Sequence, residues 1–134
     1  MTTSSEETRN LDIVRRTYEA FQAGDAETLT RNFAPNIHYR VSPAGKFSGD
    51  YRGVQAVMEF FGQIAQESEG SFRVALVDMA ASGARVFALH KISGKRGGKT
   101  LDSSDVIVFT LAGGAITEAT IYSGDYPAGA AFWS

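Results

Sequence analysis

Apolar residues recur at helical spacing in the first part of the chain. The first 23 residues place apolar side chains three or four positions apart, at Leu11, Val14, Tyr18 and Phe21. This period predicts an amphipathic helix. Ser4 or Ser5 can cap its start, because a hydroxyl there accepts a hydrogen bond from a free backbone N–H group. Ala23 and Gly24 predict its end.

A second helix, a strand and a third helix are predicted next. Asp25 can cap a helix over 26–33, and Pro35 predicts its end. Alternation of apolar and polar residues over 37–42 predicts a strand. Residues 43–53 contain a proline and three glycines, at Pro43, Gly45, Gly49 and Gly53, and predict an irregular loop. Apolar positions at helical spacing then predict a helix over 54–68.

The second half of the chain alternates with the period of β-strands. Four strands are predicted, over 72–80, 85–93, 99–111 and 115–123, joined by turns that contain glycine. The tail, residues 125–134, is short and apolar, and Phe132 and Trp133 are expected to close part of the core. Helices segregated from a run of antiparallel strands predict one α+β domain over residues 1–134.

One predicted strand carries an acid on its apolar face. We expect Arg96 and Gly97 at the tip of its hairpin, which places Lys91 opposite Asp102, Ala88 opposite Asp105 and His90 opposite Ser103. A Lys–Asp pair is typical of a solvated face. The other face holds His90 and Asp105 among apolar residues: Val86, Ala88, Ile92, Leu101, Ile107 and Phe109. Burying an unpaired carboxylate is costly, so this face predicts a pocket.

Composition narrows the possible partners. The 134 residues have a net charge of -2, which gives no reason to expect nucleic acid binding. The first ten residues are polar and no long apolar run follows, so we expect a soluble, cytoplasmic protein with no membrane contact. Cysteine is absent and the two histidines are far apart, so no metal site is expected. No glycine-rich phosphate loop is present, and we expect no cofactor.

Several short motifs resemble one family in order and spacing. They are the runs at 14–25, 33–37, 51–53, 60–61 and 113–118, among them Tyr51-Arg52-Gly53 and Phe60-Phe61. Together they resemble the SnoaL-like (polyketide-cyclase-like) proteins of the nuclear-transport-factor-2-like superfamily, which includes ketosteroid isomerases. The resemblance implies a conical α+β barrel, in which a curved antiparallel sheet wraps three helices around an apolar cavity. It also implies a homodimer packed through the outer face of the sheet.

The resemblance implies some catalytic residues and omits others. Matched to the ketosteroid isomerases, the catalytic base falls near Val41 and the tyrosine near Thr17, and neither residue can do that chemistry. Their protonated oxyanion-hole acid matches Asp105. SnoaL-type cyclases pair an aspartate with a histidine on the preceding strand, which Asp105 and His90 resemble, so these two are the predicted catalytic residues.

The walls of the ligand pocket are predicted from the same family resemblance and from the alternation along the last strand. On the last strand we expect Glu118, Thr120 and Tyr122 to face inwards. The predicted lining residues are Tyr18, Tyr39, Val41, Tyr51, Phe61, Ile107, Glu118, Thr120 and Tyr122. His38 is expected outside the pocket. Asp105 could instead be a structural acid bonded to Tyr18 or Tyr122, and His90 a buried histidine with no catalytic role.

Two classes of function remain open. The first is a protein that binds a small apolar molecule, acting as a cofactor-independent isomerase, cyclase or lyase on a polyketide-, steroid- or terpenoid-like substrate. The second is a non-catalytic ligand-binding or dimerisation module of the same fold. An epoxide hydrolase-like enzyme would need an Asp–Arg–Asp set, and the predicted inner face supplies no arginine.

Overall fold

The computed structural model describes residues 4–42 and 45–134 of the chain. In this part the elements follow one another as α1 (Ser5–Ala23), α2 (Ala26–Asn32), β1 (Phe33–Val41), β2 (Gly49–Arg52), α3 (Val54–Glu67), β3 (Arg73–Ser82), β4 (Arg85–Arg96), β5 (Lys99–Ala112), β6 (Ala115–Ser123) and α4 (Tyr126–Trp133). None of these helices combines the length and the apolar character that a membrane span requires.

Capping residues set the ends of the first two helices. The Ser4 hydroxyl accepts a hydrogen bond from the Glu7 backbone N–H, while the Glu7 carboxylate accepts one from the Ser4 N–H, which forms a capping box. Gly24 ends α1 in the left-handed conformation, at φ 69°. Asp25 then caps α2 through the backbone N–H of Thr28. The predicted caps and the predicted end of α1 are confirmed.

The six strands form one sheet in the order β2-β1-β6-β5-β4-β3. The strands β1 and β6 pair in parallel, and the other neighbouring pairs are antiparallel. The end strands β2 and β3 do not pair with each other, so the sheet is curved but not closed. Helix α1 packs on β3 and β4, and α3 packs on β1 and β2. This arrangement confirms the predicted α+β class with helices on one face of the sheet.

The predicted register of the β4–β5 hairpin was wrong by two residues. Gly97 and Gly98 form the tip, with φ values of 54° and 81°. Positive φ at both positions is typical of the two-residue type I′ turn that joins strands tightly. His90 therefore lies directly opposite Asp105, Lys91 opposite Ser104 and Ala88 opposite Ile107. Because the error is an even number of residues, the predicted faces of both strands are unchanged.

The predicted faces of the last strand were wrong from Glu118 onwards. A β-bulge in β6 places Glu118 opposite Thr110 but Ile116 opposite Leu111. Thr117 is the extra residue, and its hydroxyl donates to the Thr110 carbonyl over 3.1 Å. One inserted residue reverses the alternation of all residues after it. Ala119 and Ile121 therefore face the helices, and the predicted inward residues Glu118, Thr120 and Tyr122 face the other way.

The remaining differences concern the ends of elements. Helix α2 ends one residue early, because Phe33 already has extended backbone and begins β1. The predicted irregular loop contains the short strand β2, while its Pro43 lies outside the described residues. The apolar tail is the helix α4, which Asp125 caps through the Ala128 N–H. Phe132 and Trp133 are buried in the core, as predicted.

Candidate active site

A cavity lies between the helices and the inner face of the sheet. Its volume is about 90 Å³. Apolar side chains from α1, α3 and the strands form most of its wall. Its polar members are Thr17, Tyr18, Tyr39, His90 and Asp105. A mostly apolar cavity with a few convergent polar groups is the usual form of a small-molecule site.

Three of the polar residues form a chain of contacts that begins on α1 and ends on β5. The Tyr18 hydroxyl lies 2.6 Å from Nδ1 of His90. On the other side of the ring, Nε2 of His90 lies 3.4 Å from Oδ2 of Asp105. The direct pairing of His90 with Asp105 across β4 and β5 holds these two side chains on the same face.

The contacts between Tyr18, His90 and Asp105 have a consistent set of hydrogen-bond directions. If the Tyr18 hydroxyl donates to Nδ1, the neutral imidazole carries its proton on Nε2, which then donates to the Asp105 carboxylate. Burial raises the pKa of Tyr18 well above its ordinary value of 10.0, with further contributions from Tyr39 and from the negative charge of Asp105. Tyr18 therefore keeps its proton at neutral pH and can act as this donor.

Asp105 has one carboxylate oxygen in contact with His90 and one oxygen without a partner. The residue is only 7% exposed. Its Oδ1 atom is buried and has no hydrogen-bond partner among the described residues. Leaving a buried acceptor unpaired costs about 1–3 kcal/mol, so such atoms are rare in folded proteins. Oδ1 is therefore an unsatisfied acceptor on a residue that lines the cavity.

Tyr39 brings a second hydroxyl to the cavity. This residue of β1 is buried and lines the cavity. Burial raises the pKa of Tyr39 well above its ordinary value of 10.0, and the charge of Asp105 adds to the increase. Tyr39 is thus a protonated donor near Asp105 whose hydroxyl can bind an oxygen atom of a ligand.

A second compartment of about 80 Å³ adjoins the first. Asp105 lines both, together with Phe60, Phe72 and Ile121. Helix α4 closes this compartment with Trp133, which is buried. The carboxyl group of Asp105 therefore lies where the two compartments meet.

The structure brings some of the predicted site residues together. Asp105, His90, Tyr18, Tyr39, Phe61 and Ile107 all line the first cavity. Val41 lines the second compartment. Tyr51 lies outside both. Its ring stacks on that of Phe60, with centroids 4.4 Å apart, and its hydroxyl donates a hydrogen bond to the Phe47 carbonyl. The roles of these residues in binding and catalysis stay predictions.

The three predicted lining residues of β6 do not line the cavity. Glu118 and Tyr122 are exposed to solvent, and Thr120 lines neither compartment. Ile121 takes their place. The bulge at Thr117 is the reason, and alternation alone gives no signal for it.

Thr17 and His38 have partners that account for them. The Thr17 hydroxyl donates its only proton to the Ile13 carbonyl and accepts a hydrogen bond from the Asn32 side chain, so it has no proton left for a ligand. His38 lies away from the cavity, with Nε2 at 2.9 Å from the Asp50 carboxylate. Within residues 4–42 and 45–134, no three His, Cys, Asp or Glu side chains group as a metal ion would require.

Aromatic residues that the sequence did not single out form much of the cavity wall. Phe21, Phe33 and Phe72 line it, with Val74 from β3. Phe21 lies on the predicted apolar stripe of α1, which indicates burial but not contact with a ligand. Only the curvature of the sheet, which brings β3 over the helices, identifies these residues as cavity walls.

Comparison with known proteins agrees with this architecture. The chain is 36% identical to the protein Rv0034 of Mycobacterium tuberculosis over 126 residues, which is 93% of this chain and 96% of that protein. The structure of Bal32a, from a soil-derived mobile gene cassette, is 33% identical and superposes with a TM-score of 0.94 over 97% of this chain and 100% of that chain.

A third comparison is more distant. TerC, co-crystallised with polyporic acid, is 18% identical and has a TM-score of 0.77 over 86% of this chain and 91% of its own. At that identity the likeness concerns the fold alone. The family model of the SnoaL-like domain matches residues 14–119, which is most of the chain. The chain therefore belongs to the SnoaL-like family.

Proposed function

We propose that this protein binds a small, mostly apolar molecule that carries an oxygen atom, and that Asp105 moves a proton on it. The reaction would be a cofactor-independent isomerisation, cyclisation or elimination on a polyketide-, steroid- or terpenoid-like substrate. The observation that carries the proposal is the buried Oδ1 atom of Asp105, which has no partner among the described residues and belongs to a residue that lines an apolar cavity.

The geometry supports a specific division of roles. The Asp105 carboxylate takes a proton from a carbon next to a carbonyl group, and the electron pair of that C–H bond moves to the carbonyl oxygen. The Tyr39 hydroxyl donates a hydrogen bond to this oxygen as its negative charge develops. His90 donates to Oδ2 and holds the carboxylate in place. The proton then returns to a different atom of the substrate, which leaves the protein unchanged.

The comparison with TerC supports an oxygenated ligand. TerC shares this fold and was co-crystallised with polyporic acid. We extend from it only the expectation that an oxygenated organic molecule occupies the cavity here. The substrate class itself comes from the family resemblance and remains part of the proposal.

The first prediction concerns proton exchange on small ketones. Acetone and 2-butanone are small probes with exchangeable protons next to a carbonyl group. In D₂O, the wild-type protein should accelerate replacement of these protons by deuterium above the rate in buffer, as measured by proton NMR. Asp105→Asn should lower the protein-dependent rate about 100-fold or more, because a positioned base contributes about 10²–10⁴-fold.

Two controls separate the roles. Tyr39→Phe should lower the rate while leaving Asp105 able to take the proton. His38→Asn should leave the rate unchanged, because His38 lies outside the cavity. Full activity in a folded Asp105→Asn variant would remove Asp105 from the mechanism.

The second candidate function is a binding module without catalysis. It is favoured by Thr17 and Val41, which match the positions where the resemblance to isomerases implies a tyrosine and a base, and by the Thr17 hydroxyl, whose only proton is donated to the Ile13 carbonyl. A wild-type protein that binds the ketones without exchanging protons would establish this candidate and reject the catalytic proposal.

A further inference from the structure

A groove on the surface continues the cavity outwards. It lies between the end of α1, the start of α2 and one side of α3, and its volume is about 490 Å³. Its floor is formed by residues that also line the cavity: Phe21, Leu29, Phe61, Ile64 and Phe72. The groove and the cavity thus lie on opposite sides of one apolar partition, which these five residues form.

Three of the five residues in the partition are phenylalanines that are only partly buried. The rings of Phe21 and Phe61 meet edge to face, with centroids 5.1 Å apart, and those of Phe21 and Phe72 are 6.4 Å apart. On its inner side Phe61 contacts Tyr39, with centroids 5.6 Å apart. Solvent reaches all three phenylalanines, and rotamer changes of partly exposed side chains are fast, so these rings are the part of the partition that a ligand would displace.

The inner cavity is too small for the proposed substrates. A cavity of about 150 Å³ holds benzene, whereas this one measures about 90 Å³ and its neighbour about 80 Å³. A polyketide, steroid or terpenoid has more atoms than benzene. If its oxygen-bearing end reaches Asp105, the rest of the molecule needs space elsewhere.

The groove offers that space and has a suitable lining. Apart from the partition, small residues form most of its wall, with Met58 as the largest apolar side chain. Methionine adapts its shape to different apolar partners. Gln22 and Arg73 lie among the polar residues of the groove. The second compartment is smaller and is closed by Trp133 and α4.

We propose that the groove is the outer half of the ligand site, and that the ligand is an amphipathic molecule with a narrow, oxygen-bearing end and a larger apolar body. The oxygen-bearing end lies beside Asp105 and Tyr39, and the apolar body passes the partition and lies along Met58. The hydroxyl of an alcohol can probe the inner end because it can either donate or accept a hydrogen bond. The inference rests on the proposed function for the inner end of the site and adds its outer half.

Straight-chain primary alcohols, from 1-propanol to 1-nonanol, test this inference without any reaction. In the wild-type protein each added methylene should tighten binding about fourfold, as expected for transfer of a CH₂ group out of water. This gain should continue beyond the length that the inner cavity can hold. Dissociation constants come from NMR titration of the His90 ring signals.

Two residues report where the chain of the alcohol lies. Met58 lines the groove, and its labelled methyl group should shift with the longer alcohols, while Met79 on β3, outside the groove, should not. Trp133 is the only tryptophan and lines the second compartment, so its fluorescence should stay unchanged. A Trp133 response without a Met58 response would place the apolar body under α4 and overturn the inference.

Substitutions at Gly62 provide the matched variants. Gly62 lines the groove, and a Cβ atom there would meet open space. Gly62→Phe should narrow the groove and abolish the gain for the longer alcohols, while 1-propanol still binds. Gly62→Ala and Gln63→Phe should keep the gain, because the first adds little volume and the second lies on an exposed residue outside the groove.

The outcomes separate the two proposals. If alcohols bind and shift the His90 signals but the gain stops at short chains in the wild-type protein, the groove is rejected and the inner site stands. If the gain continues in a folded Gly62→Phe variant, the groove is also rejected. If no alcohol shifts the His90 signals, the inner site of the proposed function is rejected as well.

Discussion

At the scale of single residues, the site combines one side chain whose polar atoms all have contacts with one side chain that has an unpartnered oxygen. His90 has contacts on both ring nitrogens, to Tyr18 and to Asp105. Asp105 has one oxygen occupied and one free of partners among the described residues. Such an arrangement costs stability, and functional sites commonly carry costs of this kind. The histidine is therefore better suited to hold the carboxylate than to react itself.

The buried tyrosines give a pH dependence with a defined sign. Burial raises the pKa of both Tyr18 and Tyr39 above 10.0. Below pH 10 both residues are protonated in the folded and the unfolded protein. Above pH 10 the unfolded chain releases these protons and the folded chain keeps them, so the free energy of unfolding falls as pH rises. The slope is up to about 1.4 kcal/mol per pH unit for each tyrosine.

We predict that Tyr18→Phe changes this dependence. At pH 8 the variant should be about 1 kcal/mol less stable than the wild type, because the hydrogen bond to His90 is lost. This difference should shrink or reverse at pH 11. Above pH 10 the wild type loses the stability linked to the Tyr18 proton, whereas the variant has no such proton and does not lose it. Urea unfolding at both pH values measures it.

Tyr126→Phe is the control for this prediction. Tyr126 on α4 is 46% exposed and lies outside the sheet, so its substitution should change the stability by the same amount at both pH values. If the Tyr18→Phe and wild-type unfolding curves keep a constant separation from pH 8 to pH 11, the prediction is wrong.

At the scale of elements, the sequence predicts faces better than registers. Alternation along β4 and β5 placed His90 and Asp105 on one buried face, and the structure confirms it. Their direct opposition depends on a tip at Gly97 and Gly98, where several glycine-containing turns fit the local sequence. Alternation has no information about which turn forms, so the register was wrong by two residues.

The faces of β6 show where alternation itself fails. Thr117 is an ordinary strand residue in the sequence, and the bulge arises from its pairing with β5. Pairing partners are tertiary information, so Glu118, Thr120 and Tyr122 could not be assigned correctly. The same limit applies to Tyr51, which is bonded to Phe47 instead of lining the cavity.

The junction between β6 and α4 depends on a glycine. The Gly124 N–H donates to the Ser104 carbonyl over 2.9 Å. A Cβ atom on Gly124 would come closer to the Ser104 carbonyl oxygen than real Cβ atoms do. Because the carbonyl oxygen of Ser104 belongs to the backbone of β5, either β5 or the segment that follows β6 must shift.

We predict that Gly124→Ala destabilises the protein by about 1–3 kcal/mol, as overpacking does in a closely packed site. The shift should also loosen α4, so the fluorescence of Trp133 should move to longer wavelength. Urea unfolding and the emission spectrum measure the two effects. Gly62→Ala is the matched control, and should stabilise the helix by about 0.8–1 kcal/mol since its Cβ meets open space. Equal stability of Gly124→Ala and the wild type would contradict the prediction.

At the scale of the whole molecule, the two faces of the sheet differ in what covers them. The helices cover the inner face, whereas apolar residues on the outer face are exposed. Leu89, Val106 and Tyr122 lie opposite one another on three neighbouring strands, and Phe87 is next to them on β4. Each is 38–53% exposed. A contiguous exposed apolar patch is typical of an interface.

We propose that a second copy of this chain covers the patch, as the family resemblance implies. Charges of both signs lie on the strands around it, with Lys91 on β4 and Glu118 on β6, so a copy related by a two-fold axis can pair opposite charges.

Light scattering after size-exclusion chromatography should give the wild type twice the mass of one chain. Leu89→Asp should give the mass of one chain, because a buried unpaired charge is costly at an interface. Gln55→Asp, an exposed residue of α3, should leave the mass unchanged. A wild type with the mass of one chain, or a folded Leu89→Asp variant that still has twice that mass, would reject this interface while leaving the cavity and its chemistry untouched, because Asp105 and His90 lie on the opposite face of the same strands.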